Sequence, residues 1–186
     1  LRDVVARAAE LDMGVFIISP NNQGGRLQAP TSKLTEACAP LAPMNFNHMW
    51  LLNQPDVHTL SFGPAKPDEI DANLVAQDYD GTGKQRELFD RVLEQVESAY
   101  RTQLGDDFCT VCNQCLPCPE NINIPGVLNW RQMHKAFEMT DYAKGRYEKV
   151  GSGGAWILGV KGDRCTKCGD CLPRCPERLD IPQLLW

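Results

Sequence analysis

The chain has 186 residues, 42% of them hydrophobic and 23% charged, which is enough to bury the core of one or two domains. Its 19 basic residues against 24 acidic ones leave a formal net charge of -5, and a surface of that sign argues against non-specific nucleic-acid binding, which needs clustered Lys and Arg. No stretch approaches the roughly 20 apolar residues of a membrane span, and the first residues lack the basic and apolar regions of a secretory leader.

These bounds lead us to expect a soluble, cytoplasmic protein with neither membrane nor nucleic acid as partner. Residues 1–11 place Val4, Val5, Ala8, Ala9 and Leu11 at helical spacing. Residues 15–18, a short apolar run after Gly14, have the pattern of a fully buried parallel strand. Residues 19–33 read as a polar loop containing Gly24-Gly25 and two prolines. A helix over 44–53 follows, closed by Pro55, and then a second buried strand over 57–62, ended by Gly63-Pro64. Residues 67–77 read as a helix with Pro67 at its start, where the missing N–H costs nothing.

Asp80-Gly81-Thr82-Gly83 reads as a linker, and 85–104 is the clearest helix in the chain. Leu88, Val92, Val96 and Ala99, with Leu93 and Tyr100, form one apolar stripe along it. The alternation of helix and strand predicts parallel strands with crossover helices. Two strands alone do not make a stable sheet covered on both faces. The chain also begins at Leu1 and stops at Trp186, just after Ile181-Pro182 should open a helix, so we expect a fragment whose missing strands lie upstream. A single helix over 125–143 and a flexible connector over 151–154 are expected in the second half.

Eight of the nine cysteines fall into two tight runs, Cys109-x2-Cys112-x2-Cys115-x2-Cys118-Pro119 and Cys165-x2-Cys168-x2-Cys171-x3-Cys175-Pro176. Neighbours three or four residues apart staple little as disulfides, and they are spaced as metal ligands in a reducing compartment. The runs form an internal repeat, each closed by Cys-Pro-Glu and followed by an Ile-Pro step, at Ile124-Pro125 and Ile181-Pro182. The second run has the spacing of two-cluster bacterial ferredoxins, in which three cysteines bind one [4Fe–4S] cluster and the fourth reaches the other. On that rule Cys109, Cys112, Cys115 and Cys175 hold one cluster, and Cys165, Cys168, Cys171 and Cys118 the other. Structural zinc is the competing reading, but zinc sites favour separated Cys-x2-Cys pairs meeting at one ion. Lys161, Arg164, Lys167 and Arg174 flank the second run and could ease its negative charge. Cys38 stands apart and is expected as a plain buried thiol.

With Val15-Phe16-Ile17-Ile18-Ser19-Pro20, Gly24-Gly25-Arg26-Leu27, the strand and helix at 57–73, and the run Cys109–Cys118 with Ile122-Asn123-Ile124-Pro125, the chain resembles the aldo/keto reductase-like oxidoreductases that carry a C-terminal pair of ferredoxin-type clusters. The resemblance covers nearly the whole chain. It implies an α/β fold class joined to a mostly helical part. Residues 1–80 would be the last two βα units of a (β/α)8 barrel, 81–106 a connecting helix, and 107–186 a two-cluster ferredoxin-type domain.

The resemblance further implies a nicotinamide cofactor, NAD or NADP, bordered by Ser19, Pro20 and Gly24, with Gly63 and Lys66 at its phosphates and Asn73 at its adenine. Asn21, Glu69 and Ala72 depart from the residues usual in the family and leave the choice of nicotinamide open. The family's catalytic Asp, Tyr, Lys and His lie on earlier strands and have no counterpart here. His48, His58 and His134 stand alone, and no catalytic residue is assigned. The intact parent is therefore expected to be an iron–sulfur oxidoreductase acting with a redox partner protein or a small carbonyl substrate. The alternative is a non-catalytic electron-carrier module that docks such a partner.

Overall fold

The structure is a computed structural model and describes residues 2–21, 26–74, 76–152 and 157–185. The chain divides into two compact units, Leu1–Val96 and Glu97–Trp186. Gly24, the Gly24-Gly25 step and the last two residues of the 151–154 connector lie outside the described residues.

The first unit contains α1 (Arg2–Glu10), β1 (Phe16–Ile18), α2 (Ser32–Cys38), α3 (Pro43–Leu52), β2 (Thr59–Ser61), α4 (Pro67–Leu74) and the greater part of α5 (Gly83–Leu104). β1 and β2 pair in parallel, with Phe16 opposite Thr59, Ile17 opposite Leu60 and Ile18 opposite Ser61. His58 clamps the entrance to this pair: its backbone N–H donates to the Val15 carbonyl at 3.0 Å, and its Nδ1 accepts the Val15 N–H at 3.1 Å. The parallel pairing agrees with the reading of the sequence, but the expected full burial of β1 does not. Phe16 is 56% exposed and Ile18 71% exposed, because alternate side chains of a strand point to opposite faces and only one face of β1 is covered by the described residues.

The core of this unit rests on α5. Phe89 and Val92 are fully buried, and Phe89 stacks on Phe46 of α3 at 5.6 Å between ring centroids and meets Tyr79 at 5.9 Å. Burial of an aromatic ring of this kind is worth about 3–5 kcal/mol against truncation. The Gln95 side-chain amide donates to the Ala39 carbonyl at 3.0 Å and ties α5 to the end of α2. α2 lies partly inside the stretch expected as a polar loop. Its N-cap is Thr31, whose hydroxyl accepts the Leu34 N–H at 3.2 Å. Cys38, at its end, is 1% exposed, as expected of a buried thiol, and burial pushes its pKa up to about 11.

The second unit contains the end of α5, α6 (Ile124–Phe137), α7 (Thr140–Glu148) and the short α8 (Ile181–Leu184). The helix expected over 125–143 is two helices. Glu138 takes the left-handed conformation at φ 56°, and its N–H caps the carbonyls of Met133 and His134, so the chain turns and α7 packs back on α6. Glutamate at this position carries no sequence signal for a stop, which is why the break is invisible in the periodicity. Ile122, Ile124, Leu128 and Ile181 are essentially inaccessible and form the centre of the core, with Trp130, Tyr142, Val150, Leu179 and Leu185 around them. Gly159 is required where it stands. At φ +91° a Cβ would lie 2.8 Å from the Asn121 carbonyl oxygen, on the stretch where Val160 pairs with Ile122.

Candidate iron–sulfur site

The two cysteine runs fold as copies of one another. Cys112 and Cys168 are exposed, Cys115 and Cys171 are buried, and the outer pair of each run, Cys109 with Cys118 and Cys165 with Cys175, is half-buried. The backbone repeats as well. Left-handed residues occur two and four positions after the first cysteine, at Val111 and Asn113 in one run and at Lys167 and Gly169 in the other. A third left-handed position falls three residues after the last cysteine, at Asn121 and at Arg178. A β-branched residue such as Val111 resists φ of 54°, at a cost of about 1–3 kcal/mol. The reward is a loop that winds tightly enough to turn successive thiols inward, and in it the Val111 N–H donates to Cys109 Sγ at 3.4 Å.

Each run then enters a helix in the same way. Asn123 caps α6, its side-chain oxygen accepting the Gly126 N–H at 3.1 Å, and Asp180 caps α8, its carboxylate accepting the Gln183 N–H at 3.3 Å. Pro125 and Pro182 occupy the first turns, where no N–H is required. The buried pairs Ile122 and Ile124, and Leu179 and Ile181, pin these entries into the core and thereby fix where each last cysteine stands.

The result is two concavities. One, of about 310 Å³ and partly open to solvent, is lined by Cys109, Cys112, Cys115 and Cys175 with Pro125, Leu128 and Ile181. The other, of about 340 Å³, is lined by Cys118, Cys165, Cys168 and Cys171 with Ile122, Ile124 and Pro182. Each therefore draws three thiols from one run and the fourth from the other. Among the described residues no three His, Cys, Asp or Glu side chains are gathered closely enough to hold a single metal ion. Four thiols around a hollow suit a multi-iron body, whose corners each take one sulfur.

Burial raises the pKa of Cys109 and Cys171, and raises that of Cys115 to about 11, with neighbouring thiols adding to the effect. Burial therefore disfavours the thiolates of these three unless a cation compensates them, and iron would supply that compensation. The donor set thus fits an iron–sulfur group.

Residues 108–179 match the family model of the 4Fe-4S dicluster domain. This part of the chain is an iron–sulfur electron-transfer domain of ferredoxin type. Neither a curated protein nor a solved structure matches the chain. No helix among the described residues is long and apolar enough to cross a membrane.

Gln132 carried no recognisable signal, and Arg174, expected only as one of four cations flanking the second run, gains specific partners. Gln132, 3% exposed on the inner face of α6, accepts the backbone N–H of Cys109 through its side-chain oxygen and so anchors the start of the first run. Arg174 joins the two runs, donating from Nε to the Asp170 carbonyl at 2.8 Å and from Nη2 to the Pro117 carbonyl at 3.0 Å. Of the four cations flanking the second run, Arg174 lines the cysteine hollow, whereas Lys161 lies over the ring of Tyr147 at 5.6 Å.

The residues expected around a nicotinamide are placed differently from one another. Ser19 and Gly63 are exposed, as is Lys66, whose carbonyl accepts the Glu69 N–H at 3.2 Å. Pro20 is buried and its carbonyl accepts from Asn47 at 2.7 Å. Asn73 is buried too, its amide donating to the Glu69 carbonyl at 2.6 Å and its oxygen accepting from Asn21 at 3.4 Å. The Asn21 side-chain oxygen accepts from His48 Nε2 at 2.6 Å, and burial lowers the pKa of that imidazole. These contacts give Asn21, His48 and Asn73 a packing role. Gly24 lies outside the described residues.

Proposed function

We propose that the second unit holds two [4Fe–4S] clusters, one on Cys109, Cys112, Cys115 and Cys175 and the other on Cys118, Cys165, Cys168 and Cys171, and that it passes single electrons. The observation that carries this reading is the crossing of the fourth cysteine between the two runs, which makes each hollow depend on both. Such a group supplies one-electron redox chemistry over a range of about −700 to +450 mV. The protein's own residues do the rest. The left-handed turns aim the thiols and their N–H groups inward, and the Ile and Leu side chains beneath exclude water from the buried corners.

For the intact protein we favour an iron–sulfur oxidoreductase of aldo/keto reductase type. The first unit would then be part of a (β/α)8 barrel, and electrons would pass to or from a nicotinamide, NAD or NADP, or a small carbonyl substrate. The parallel β1–β2 pair with helices between supports this reading, as do the exposed Ser19, Gly63 and Lys66. A second reading, an electron carrier that docks a redox partner without catalysis of its own, draws on Asn73, whose side chain is satisfied within the protein rather than open to an adenine.

Iron and acid-labile sulfide content after anaerobic purification, with EPR of the dithionite-reduced protein, tests the cluster reading. About eight irons and two magnetically interacting signals are expected. Stoichiometric zinc without a signal would overturn it. Nicotinamide-dependent turnover of an aldehyde by the intact protein separates the two readings of the first unit.

A further inference from the structure

The second copy of the repeat carries one inserted residue, and that residue is charged. Laid on one another, the runs read Cys115-Leu116-Pro117-Cys118 and Cys171-Leu172-Pro173-Arg174-Cys175, so the extra residue in the second run is Arg174. The other cysteines, the three left-handed positions and both helix entries correspond without it. Its two backbone hydrogen bonds, to Asp170 and Pro117, hold the guanidinium at the wall of the hollow formed by Cys118, Cys165, Cys168 and Cys171. The carboxylates are matched, since Glu120 lines that hollow and its counterpart Glu177 lines the other. The cations are not: among the described residues no Lys or Arg lines the hollow of Cys109, Cys112, Cys115 and Cys175.

We infer that Arg174 is a positioning and tuning residue that makes the two cysteine sites unequal electron holders, so that an electron shared by the pair rests on the Arg174 side. The inference builds on the two-cluster reading above. Its physics is Coulombic. Reduction adds one negative charge to a site, and a fixed guanidinium at the wall favours that charge, while Glu177 alone at the other wall opposes it. One electron leaves the first site, which is oxidised by one, and arrives at the second, which is reduced by one. No proton or ligand moves. The asymmetry gives the wire a direction, with the Cys109 end as entry and the Cys118 end as the resting place. A guanidinium in a half-exposed wall biases the equilibrium by about tenfold.

The test is EPR-monitored potentiometric reduction of the anaerobic protein as isolated, with dithionite as the one-electron donor and iron content measured on the same sample. Two reduction steps are expected. In Arg174→Gln the upper step should fall by the equivalent of about tenfold while the lower stays, and Arg174→Lys should restore it, because it keeps the charge and not the fork of hydrogen bonds. A purely structural role would disturb Arg174→Lys and Arg174→Gln alike and would overturn the inference, as would an Arg174→Gln protein whose two steps are unmoved. Should Arg174→Gln fail to assemble, the exposed Glu177→Gln gives an independent reading, in which the lower step should rise towards the upper. A Glu177→Gln protein with an unchanged gap counts against the inference. Fewer than eight irons in the unaltered protein would instead remove the two-cluster reading, and the inference with it.

Discussion

The two units are stabilised by different physics although they share one chain. The first is an ordinary apolar assembly in which α5 presses Phe89 and Val92 against Phe46 and Tyr79. The second has a small core of Ile122, Ile124, Leu128 and Ile181, and around it two loops wound through left-handed turns with eight thiols facing two hollows. Such loops have few apolar contacts of their own. Their order comes from the core below, against which the cysteines pack, and iron held by the thiols would add to it.

Removing the iron should break that comparison most visibly. Under a strong chelator the cysteine loops and the helix entries at Asn123 and Asp180 should lose amide protection in hydrogen exchange, while α3 and α5 keep theirs. Uniform loss across both units would show that the first is not independently stable.

Phe89→Ala should give the opposite picture. It removes the ring at the centre of the first core, and a loss of about 3–5 kcal/mol is expected in chemical unfolding of that unit, with iron content unchanged. A loss below about 1 kcal/mol would show that Phe46 and Tyr79 close over the cavity.

The smallest effect is a pH dependence confined to the first unit. Burial raises the Cys38 thiol from its ordinary 9.0 to about 11. Its contribution is fully present below pH 9, where the unfolded chain is also protonated, and is lost as pH rises through about 11. The loss is on the order of 2–3 kcal/mol. Unfolding of the first unit followed from pH 8 to 11 should steepen over that window, and Cys38→Ala should flatten the profile. An unchanged slope in the variant would assign the effect to other groups.

Reading the residues went far in the second unit because its signals are local. The spacing of the cysteines, the proline after each run and the two Ile-Pro steps are properties of a few consecutive residues, and they anticipated the repeat and both helix entries. Helices α3, α4 and α5 were legible for the same reason, since an apolar stripe or an N-terminal proline acts over one or two turns. The break at Glu138 was not, because that residue has no intrinsic preference for φ 56° and adopts it only as α7 packs on α6. The burial of β1 was misread because an apolar strand looks the same whether or not its second face is covered.

What the sequence by itself determined, then, is the chemistry: eight thiols at ligand spacing, in two copies of one design, with a match to the 4Fe-4S dicluster domain over residues 108–179. Tertiary structure alone decided that Gln132 anchors the first run and that Arg174 stands at the wall of one hollow and not the other. Ligand spacing is a covalent property, fixed by three or four bonds of chain. Which wall a guanidinium reaches depends on Arg174 meeting the Pro117 carbonyl, 57 residues away in the chain, and only the packed core brings them together.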